Sequence, residues 1–330
     1  MIDVISLGEV MLRMSPPRYK RLRQTRTLDV EVAGAQLNVV ANLARLGKQT
    51  AFISKLPDNE LGILARDTCA AYGVNMRFVP TISGARMGLN FLEFTATPRA
   101  PVTVFDRRGS AASTITADDF DWESILSGVR VAHTDGIFPG LSEGCAAATR
   151  RYLLTARSAG CATSFDLNYR EHLWTPDTAR ACWEQLLPYV DLLVANQTVT
   201  ETVFGFTGDE EMTARWYQEQ FGCRWVSITH REIDGVLRGA WRAILLTAST
   251  LVHGRRYTFD VIDRYGTGDA FLAGLIYGYL EHGETNPEFA LNFGSALCAL
   301  AHTVEGDIAQ FSPSEVFPLL NETIDLRVKR

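Results

Sequence analysis

A Gly-rich turn next to an acid lies near the C-terminal end of the chain, in the stretch Asp263-Arg264-Tyr265-Gly266-Thr267-Gly268-Asp269-Ala270-Phe271. A β-rich segment, residues 257–262, precedes it, and an apolar run of small residues, 270–280, follows it. This order predicts a strand, a tight turn and a helix, which together aim the unpaired amide groups of the helix start at one point. These amides and the helix dipole would bind an anion such as a phosphoryl group there.

Asp269 is the residue of this turn that could accept a proton. Taken alone, Gly-x-Gly-Asp is equally compatible with an ordinary N-cap turn. Beside an anion site, however, a carboxylate would repel the bound phosphate. Its presence is explained if Asp269 faces a second substrate and takes the proton from its hydroxyl group, while the turn holds the group being transferred.

Alternating segments predict the fold around this turn. A strand near residues 4–7 precedes a helix that follows Gly34 and stops at Gly47, and the alternation of strands and helices is regular from residue 129 onward. Repeated β–α units predict a mainly parallel sheet covered by helices on both faces. In such sheets, ligands bind beyond the carboxyl ends of the strands.

Two β-rich excursions fall outside this alternation. They cover residues 11–33 and 86–109, and within the second one the segments 87–94 and 102–106 favour a hairpin. We expect the two excursions to form one small β-sheet lid. The remaining residues, 1–10, 34–85 and 110–330, would then form the α/β domain.

Composition excludes several classes of protein. The chain has 330 residues, of which 46% are apolar, and a formal net charge of −6, which gives no reason to expect nucleic acid as a partner. No apolar run predicts a membrane span and no signal peptide is apparent, so we expect a cytoplasmic protein. Six widely spaced cysteines are expected to be reduced core thiols rather than zinc ligands.

Polar residues at predicted strand ends are candidates for binding. Arg170 closes the stretch Phe165-Asp166-Leu167-Asn168-Tyr169-Arg170, and Arg107 ends the hairpin. A planar guanidinium can bind two oxygens of a carboxylate or phosphate, although a loop arginine is more often a solvated surface charge. Gly34 and Asn38, on the first turn of the first helix, would read sugar hydroxyls or serve only as turn and cap residues. P-loop, dinucleotide-binding and nucleophile-elbow motifs do not occur in the sequence.

Gly266-Thr267-Gly268-Asp269, preceded by Asp263, resembles the C-terminal signature of ribokinase-like (PfkB) sugar kinases, Asp-x-x-Gly-Ala-Gly-Asp. Ala33-Gly34-Ala35 with Asn38 is similar to the N-terminal signature of the family, with Ala33 in place of its first glycine. Segments that resemble the 2-keto-3-deoxygluconate kinases of this family are Lys55-Leu56-Pro57-Asp58-Asn59, Phe105-Asp106-Arg107, Asp166 to Arg170, Thr229-x-Arg231-Glu232, Val261 to Arg264, and Thr303 to Asp307.

The resemblance implies a ribokinase-like three-layer α/β/α sandwich with a β lid and an ATP-dependent sugar-acid kinase. By this resemblance, Asp269 is the base, and Gly266, Thr267 and Gly268 form the anion hole. The sugar acid would be held by Gly34, Asn38, Asn90, Phe105, Arg107, Arg170, Asp269 and Asp307. Asn168, Thr229, Arg231, Gly266 and Gly268 would approach the nucleotide. Mg²⁺ and, as an open option, a monovalent cation are implied, and a homodimer or higher homo-oligomer is expected because lids in this family often pair.

Three positions depart from the family pattern. Related kinases carry tyrosine or another larger residue where Asn90 stands, and tyrosine where Phe105 stands, so hydroxyl contacts to the sugar are missing or replaced. Val199 stands where an Asn-x-x-Glu motif tied to Mg²⁺ has its acid, and Glu201 lies two residues too late. Asn196, acting through water, would be the residual metal contact.

Two alternatives follow from these residues. A kinase for a neutral sugar such as fructose or ribose is expected if Arg107 and Arg170 turn away from the acceptor pocket or pair with protein acids. A sugar acid is expected if both face the pocket. Val199, Asn90 and Phe105 also allow a catalytically silent sugar-binding homologue.

Overall fold

A computed structural model describes residues 1–233 and 235–321 of the chain. The strands are β1 Val4–Leu7, β2 Met11–Ser15, β3 Asp29–Ala33, β4 Thr50–Ile53, β5 Leu56–Pro57, β6 Val74–Phe78, β7 Thr81–Ile82, β8 Gly88–Glu93, β9 Val102–Asp106, β10 Val131–Asp135, β11 Ala162–Asp166, β12 Leu192–Ala195, β13 Trp225–Ile233, β14 Arg238–Leu246, β15 Leu251–His253 and β16 Tyr257–Asp260. The helices are α1 Ala35–Arg45, α2 Glu60–Ala71, α3 Trp122–Leu126, α4 Glu143–Ser158, α5 Pro176–Leu186, α6 Gln197–Phe204, α7 Glu210–Phe221, α8 Thr267–His282, α9 Pro287–Ala301 and α10 Pro313–Leu320.

The central sheet has the order β15-β14-β13-β12-β11-β10-β1-β4-β6, and β16 also pairs with β14. From β6 to β13 the neighbouring strands are parallel, whereas β14, β15 and β16 add an antiparallel edge. The carboxyl ends of β1, β10, β11, β12 and β13 therefore meet at one edge of the sheet. Glu9, Asp135, Asp166 and Asn196 lie at or just beyond this edge.

Helices cover both faces of the sheet. One apolar cluster packs α1, α8 and α9 against one face, and a second cluster packs α4, α5 and α7 against the other. The strands between them are buried on both sides, as expected for a parallel sheet with helices on each face. The predicted α/β architecture with a mainly parallel sheet is therefore confirmed.

A separate four-stranded sheet of order β3-β2-β8-β9 lies outside this sandwich and forms the lid. Its hairpin β8–β9 was predicted, and β2 joins the two excursions by pairing parallel to β8. In this register Arg13 lies opposite Asn90, and Asn90 lies opposite Phe105. The three side chains therefore share one face of the lid. The opposite face exposes Val30 and Val104.

Several elements differ from the prediction. Residues 11–15 form a strand of their own, and α6 follows Asn196, where no helix was expected; helix α3 and the short strands β5, β7 and β15 were not predicted either. The strand predicted for 257–262 ends at Asp260. The proposed domain boundaries and the homo-oligomer stay predictions. The six cysteines are unpaired, and all but Cys182 are buried. Within the described ranges, no helix is long and apolar enough to cross a membrane.

Candidate active site

Helix α8 begins in the predicted turn. Gly266 precedes it with φ of 70°, and a β-carbon there would lie 1.9 Å from the carbonyl oxygen of Asp307, so both the conformation and the space require glycine. Ala270 N donates to Gly266 O over 2.8 Å, which leaves the amides of Thr267, Gly268 and Asp269 as the open first turn. A β-carbon on Gly268 would meet no atom within 4 Å, so this side of the turn faces open space.

A cleft of about 570 Å³ opens at this helix start. Gly266, Gly268 and Asp269 line it, together with residues at and just beyond the ends of β11 and β12 and with Thr229, His230 and Arg231 of β13. The side chain of Thr267 does not line the cleft, because its hydroxyl accepts a hydrogen bond from Arg231 Nη2 (2.6 Å) and donates to Arg264 O (3.0 Å). Thr267 can therefore act on a ligand only through its backbone amide.

Asp269 is half-buried in the wall of the cleft and accepts a hydrogen bond from Asn38 Nδ2 at 2.7 Å. Burial, reinforced by the neighbouring Asp166, Asp135 and Asp307 carboxylates, raises the pKa of Asp269 well above its ordinary value, although the bond from Asn38 opposes the rise. Burial and the charge of Asp135 likewise raise the pKa of Asp166 to about 7. This end of the cleft therefore concentrates acids and favours cations or protons.

Asn38 and Gly34 connect helix α1 to this acidic end. Asn38 Oδ1 accepts from Gly34 N at 3.3 Å, which leaves the amide nitrogen for Asp269. A β-carbon on Gly34 would lie 2.1 Å from the carbonyl oxygen of Glu9, so glycine lets α1 begin directly against the end of β1. Gly34 and Asn38, which belong to the segment that resembles the N-terminal family signature, thus orient the Asn38 amide towards Asp269.

The residues expected near a nucleotide, Asn168, Thr229 and Arg231, line the same cleft, as does Asn196, the expected metal contact. Asn168 donates to Asp135 Oδ2 over 3.1 Å, and Thr229 donates to Ala195 O over 3.3 Å. Arg231 lies 5.7 Å from the Trp241 ring.

Asn196 caps helix α6, because its Oδ1 accepts from Val199 N at 2.9 Å. Val199 packs against the apolar cluster beneath the cleft, and Glu201 is exposed on the helix. Neither Val199 nor Glu201 supplies an acid at this point. Among the residues of the described ranges, no group of three or more His, Cys, Asp or Glu side chains is arranged to hold a metal ion.

The two predicted arginines have different surroundings. Arg107 is buried and pairs with Glu9, to which its Nε donates at 2.9 Å; Ser110 Oγ donates to the same carboxylate at 2.8 Å. Arg170 lines the cleft and donates to Tyr169 O, and within the described chain no carboxylate lies at ion-pair distance from it. The orientation of the two arginines was the criterion for an acidic or a neutral sugar, and the two differ: Arg107 pairs with a protein acid, whereas Arg170 lines the cleft.

The shared face of the lid carries Asn90 and Phe105. Asn90 is 8% exposed, and in the described part of the protein its Oδ1 has no hydrogen-bond partner. Phe105 stacks on His172, with ring centroids 4.7 Å apart, and both line a second opening of about 730 Å³ with Arg107 and Arg108. His172 was not among the predicted residues. Burial and the nearby Arg170 and Arg107 charges lower the pKa of His172, which indicates a cationic region.

The resemblance implies that Asp307 binds the substrate, which requires a free carboxylate. In the structure, this carboxylate pairs with Arg13. Arg13 was also missed by the sequence analysis. Its guanidinium additionally pairs with Glu31 and, at 3.1 Å, with Asp263 Oδ2. Asp307 therefore supports the turn from below rather than lining the cleft.

The chain was compared with known proteins. A family model described as pfkB family carbohydrate kinase matches residues 1–314. The 2-dehydro-3-deoxygalactonokinase of Haloferax volcanii is 36% identical over 314 residues, which cover 95% of each chain. The 5-dehydro-2-deoxygluconokinase of Clostridium perfringens is 26% identical over 328 residues, which cover 96% of this chain and 90% of that one. The crystal structure of 2-dehydro-3-deoxygluconokinase from Thermotoga maritima matches with a TM-score of 0.92 and 35% identity, covering 97% of this chain and 100% of that one.

The raised pKa of Asp269 predicts a stability effect that does not depend on any ligand. A group whose pKa is raised by folding contributes stability below its unfolded pKa, and this contribution is lost as the pH rises through the folded pKa. Asp269→Asn removes the charge, so we expect its Tm to exceed that of the wild type by about 2–4 °C near pH 8, with the difference vanishing near pH 4. Calorimetry at both pH values measures this, with the exposed Glu219→Gln on α7 as the control. Equal Tm values near pH 8 would contradict the electrostatic account.

Proposed function

The chain belongs to the PfkB family of carbohydrate kinases, and from this premise we propose that it transfers the γ-phosphoryl group of ATP to the hydroxymethyl group of a sugar acid. The proposed acceptor is 2-keto-3-deoxygluconate, which would become its 6-phosphate. One observation carries the proposal: Asp269 lines an open cleft beside the free amides at the start of α8.

In the proposed reaction, Asp269 accepts the proton of the acceptor hydroxyl as that oxygen attacks the γ-phosphorus. The bond to the β–γ bridging oxygen breaks, and ADP leaves. The amides of Thr267, Gly268 and Asp269 would stabilise charge on the equatorial oxygens, so catalysis is positioning and electrostatics. Asn38, bonded to one carboxylate oxygen, leaves the other to receive the proton.

Mg²⁺ is proposed to arrive with ATP. Mg²⁺ commonly keeps several waters and binds through substrate phosphates plus one or two carboxylates. The cleft fits this mode, because Asp166 lines it while Asn196 uses its side-chain oxygen as a helix cap. When bound, the ion would neutralise charge on the phosphates. Asp166 and a water held near Asn196 are the proposed contacts.

A sugar acid is favoured because the cleft has both acids and an arginine. Asp269 and Asp166 line it near Asp135, and Arg170 lines it near His172, which stacks on Phe105 of the lid. A 2-keto-3-deoxy sugar acid has a hydroxymethyl group at one end and a carboxylate at the other. Bound with its hydroxymethyl group at Asp269, it would direct the carboxylate towards Arg170 and away from the acids.

The configuration at C4 of the acceptor is the finer question. The Haloferax relative is named for the galactonate and the Thermotoga structure for the gluconate, which are C4 epimers. Both keep the carboxylate and the hydroxymethyl group on which the charge argument depends. Asn90, whose Oδ1 is a buried acceptor without a partner in the described chain, is the proposed contact for a sugar hydroxyl.

A neutral sugar is the second candidate, and the Arg107–Glu9 pair is the observation that favours it. Only one of the two predicted arginines then remains to bind a carboxylate. Arg170 nevertheless lines the cleft with no carboxylate of the described chain at ion-pair distance, which supports the acid. A silent homologue is disfavoured because Asp269 and the turn amides face an open cleft.

A comparison of several acceptors tests the proposed function directly. ADP release would be measured with 2-keto-3-deoxygluconate, its C4 epimer, 5-keto-2-deoxygluconate, fructose and ribose. We expect the highest kcat/KM for one of the two C4 epimers. A higher kcat/KM for fructose or ribose would establish the neutral-sugar kinase, and binding of an acceptor without turnover would establish the silent homologue.

Asp269→Asn is expected to reduce kcat by about 10²–10⁴ because a positioned base contributes that much. The affinity for the acceptor should change little, since the amide keeps the shape of the carboxylate and its contact with Asn38. Steady-state kinetics and calorimetric titration measure the two quantities, with Glu219→Gln again as the matched control. A kcat near that of the wild type would eliminate Asp269 as the base.

Arg170→Gln is expected to raise the KM for the sugar acid by about 10- to 100-fold, the equivalent of one charge-assisted hydrogen bond. Its KM for any neutral sugar that is turned over should be unchanged. His172→Gln should give a smaller rise in the same direction, and Arg150→Gln, an exposed change on α4, none. Equal effects of Arg170→Gln on acidic and neutral acceptors would argue against a carboxylate contact.

A further inference from the structure

Arg13 is a buried charge that the reaction as described does not use. It lies in the middle of lid strand β2, and its side chain is 1% exposed. Arginine is almost never fully buried unless it is paired. Here the pairing is threefold, to Glu31 on the neighbouring lid strand and to Asp263 and Asp307 of the α/β domain.

The two acids of the α/β domain hold the backbone around the Gly266 turn. Asp263 Oδ1 accepts from Tyr265 N at 3.0 Å, and its Oδ2 accepts from Gly306 N at 3.1 Å. The backbone of Asp307 packs directly against Gly266, since a β-carbon at residue 266 would lie 1.9 Å from the carbonyl oxygen of Asp307. Arg13 therefore binds both the segment that leads into the turn and the segment beneath it.

Arg13 is also connected to the proposed base. The side-chain amide of Asn38 donates to Asp269, and it lies close enough to Asp307 to oppose the rise in pKa that burial causes in that carboxyl group. A chain of three contacts thus runs from Arg13 through Asp307 and Asn38 to the carboxylate of Asp269. Because every member is at least half-buried, a displacement at one end is transmitted rather than absorbed by solvent.

Aromatic rings cover the guanidinium group. Phe94 and Tyr265 lie 5.6 and 5.9 Å from its central carbon, and Tyr265 OH lies 3.3 Å from Thr103 Oγ1 of the lid. The rings add cation–π attraction and keep water away from the cluster. If Arg13 were replaced by a small polar residue, water could therefore not take over the contacts that its guanidinium group makes.

On the same lid face, Arg13 lies beside Asn90, and Asn90 beside Phe105. We propose that Arg13 is a positioning residue that locks the lid to the catalytic turn, so that the acceptor held by the lid is presented to Asp269 at a fixed distance. This inference rests on the proposed function and adds a residue that touches neither acceptor nor nucleotide. Loss of Arg13 should misplace the acceptor relative to the base while leaving the proposed nucleotide contacts Asn168, Thr229 and Arg231 in place.

Arg13→Ala and Arg13→Lys test the proposal in the full-length protein. A misplacement of the order of 1 Å can cost about 10²-fold in rate. We therefore expect kcat of Arg13→Ala to fall by about 100-fold, with the KM for ATP changing less than about threefold. Millimolar guanidinium chloride should restore part of this kcat, whereas sodium chloride at the same concentration should not, because the guanidinium ion fits the vacated space.

Arg13→Lys keeps the buried positive charge and is the variant expected to fold if Arg13→Ala does not. A single ammonium group cannot span three carboxylates, so we expect its kcat to be lower by at least about tenfold at temperatures below its Tm. Arg86→Gln is the matched control, since Arg86 forms an exposed ion pair with Asp106 within the lid. It should leave kcat unchanged.

A wild-type kcat in Arg13→Lys would overturn the proposal, as would a loss of kcat in Arg13→Ala that guanidinium does not restore. These outcomes differ from a failure of the proposed function. If the wild type phosphorylates only neutral sugars, the acceptor assignment fails while the variants still decide the role of Arg13 with that sugar. A wild type that phosphorylates no acceptor overturns both.

Discussion

The contact between Gly266 and the backbone of Asp307 sets the position of the turn at the start of α8, for which we propose a catalytic role. A β-carbon at residue 266 would overlap the Asp307 carbonyl oxygen, so the turn can approach this segment only as glycine. That approach brings the start of α8 to the carboxyl edge of the parallel sheet. It places the free amides of the helix and the acid of β11, Asp166, on the same cleft, with Asp135 of β10 buried nearby. The remaining features of the cleft depend on this arrangement.

The close approach also has an electrostatic cost. Burial raises the pKa values of Asp269, Asp166, Asp135 and Asp307, and repulsion from neighbouring carboxylates adds to the rise at Asp269, Asp166 and Asp307. Such a cluster destabilises the folded state when all its members are ionised. Active sites commonly retain groups of this kind because function requires them. A bound cation or a transferred proton would relieve the same repulsion, so the cost in stability is directly related to the chemistry proposed for the cleft.

The sequence predicted the features that depend on local pattern. The β–α alternation, the hairpin in 86–109 and the Gly266 turn all have periodicity or turn residues that can be recognised without coordinates. Helix α6 was missed because Gln197–Phe204 is rich in threonine and valine, which are weak helix formers. Its stability comes instead from the Asn196 cap and from burial of Thr200 and Val203. Strand β2 was obscured by the Pro16-Pro17 pair that follows it.

The ion-pair partners of buried charged residues could not be predicted from local sequence patterns. Arg13 and Asp307 are 294 residues apart, and Arg107 and Glu9 are 98 apart. Each looks like a surface charge in sequence, because nothing within a few residues shows that it is buried. The prediction that Arg107 would bind substrate was reasonable from its place on the hairpin. Its engagement with Glu9 depends on how the lid docks, which no local pattern specifies.

These two ion pairs together explain how the lid is held in one orientation. Arg13 anchors β2 to Asp263 and Asp307, and Arg107 anchors the end of β9 to Glu9. A buried ion pair adds little net stability, because desolvation offsets the attraction, but breaking one costs about 3–5 kcal/mol. Apolar contacts alone would let the lid slide at small cost. Asn90 and Phe105 lie between the two anchors, so any shift of the lid face that carries them would have to strain at least one buried pair. The lid therefore keeps one orientation because any other would break a buried ion pair, and not because these pairs add much net stability.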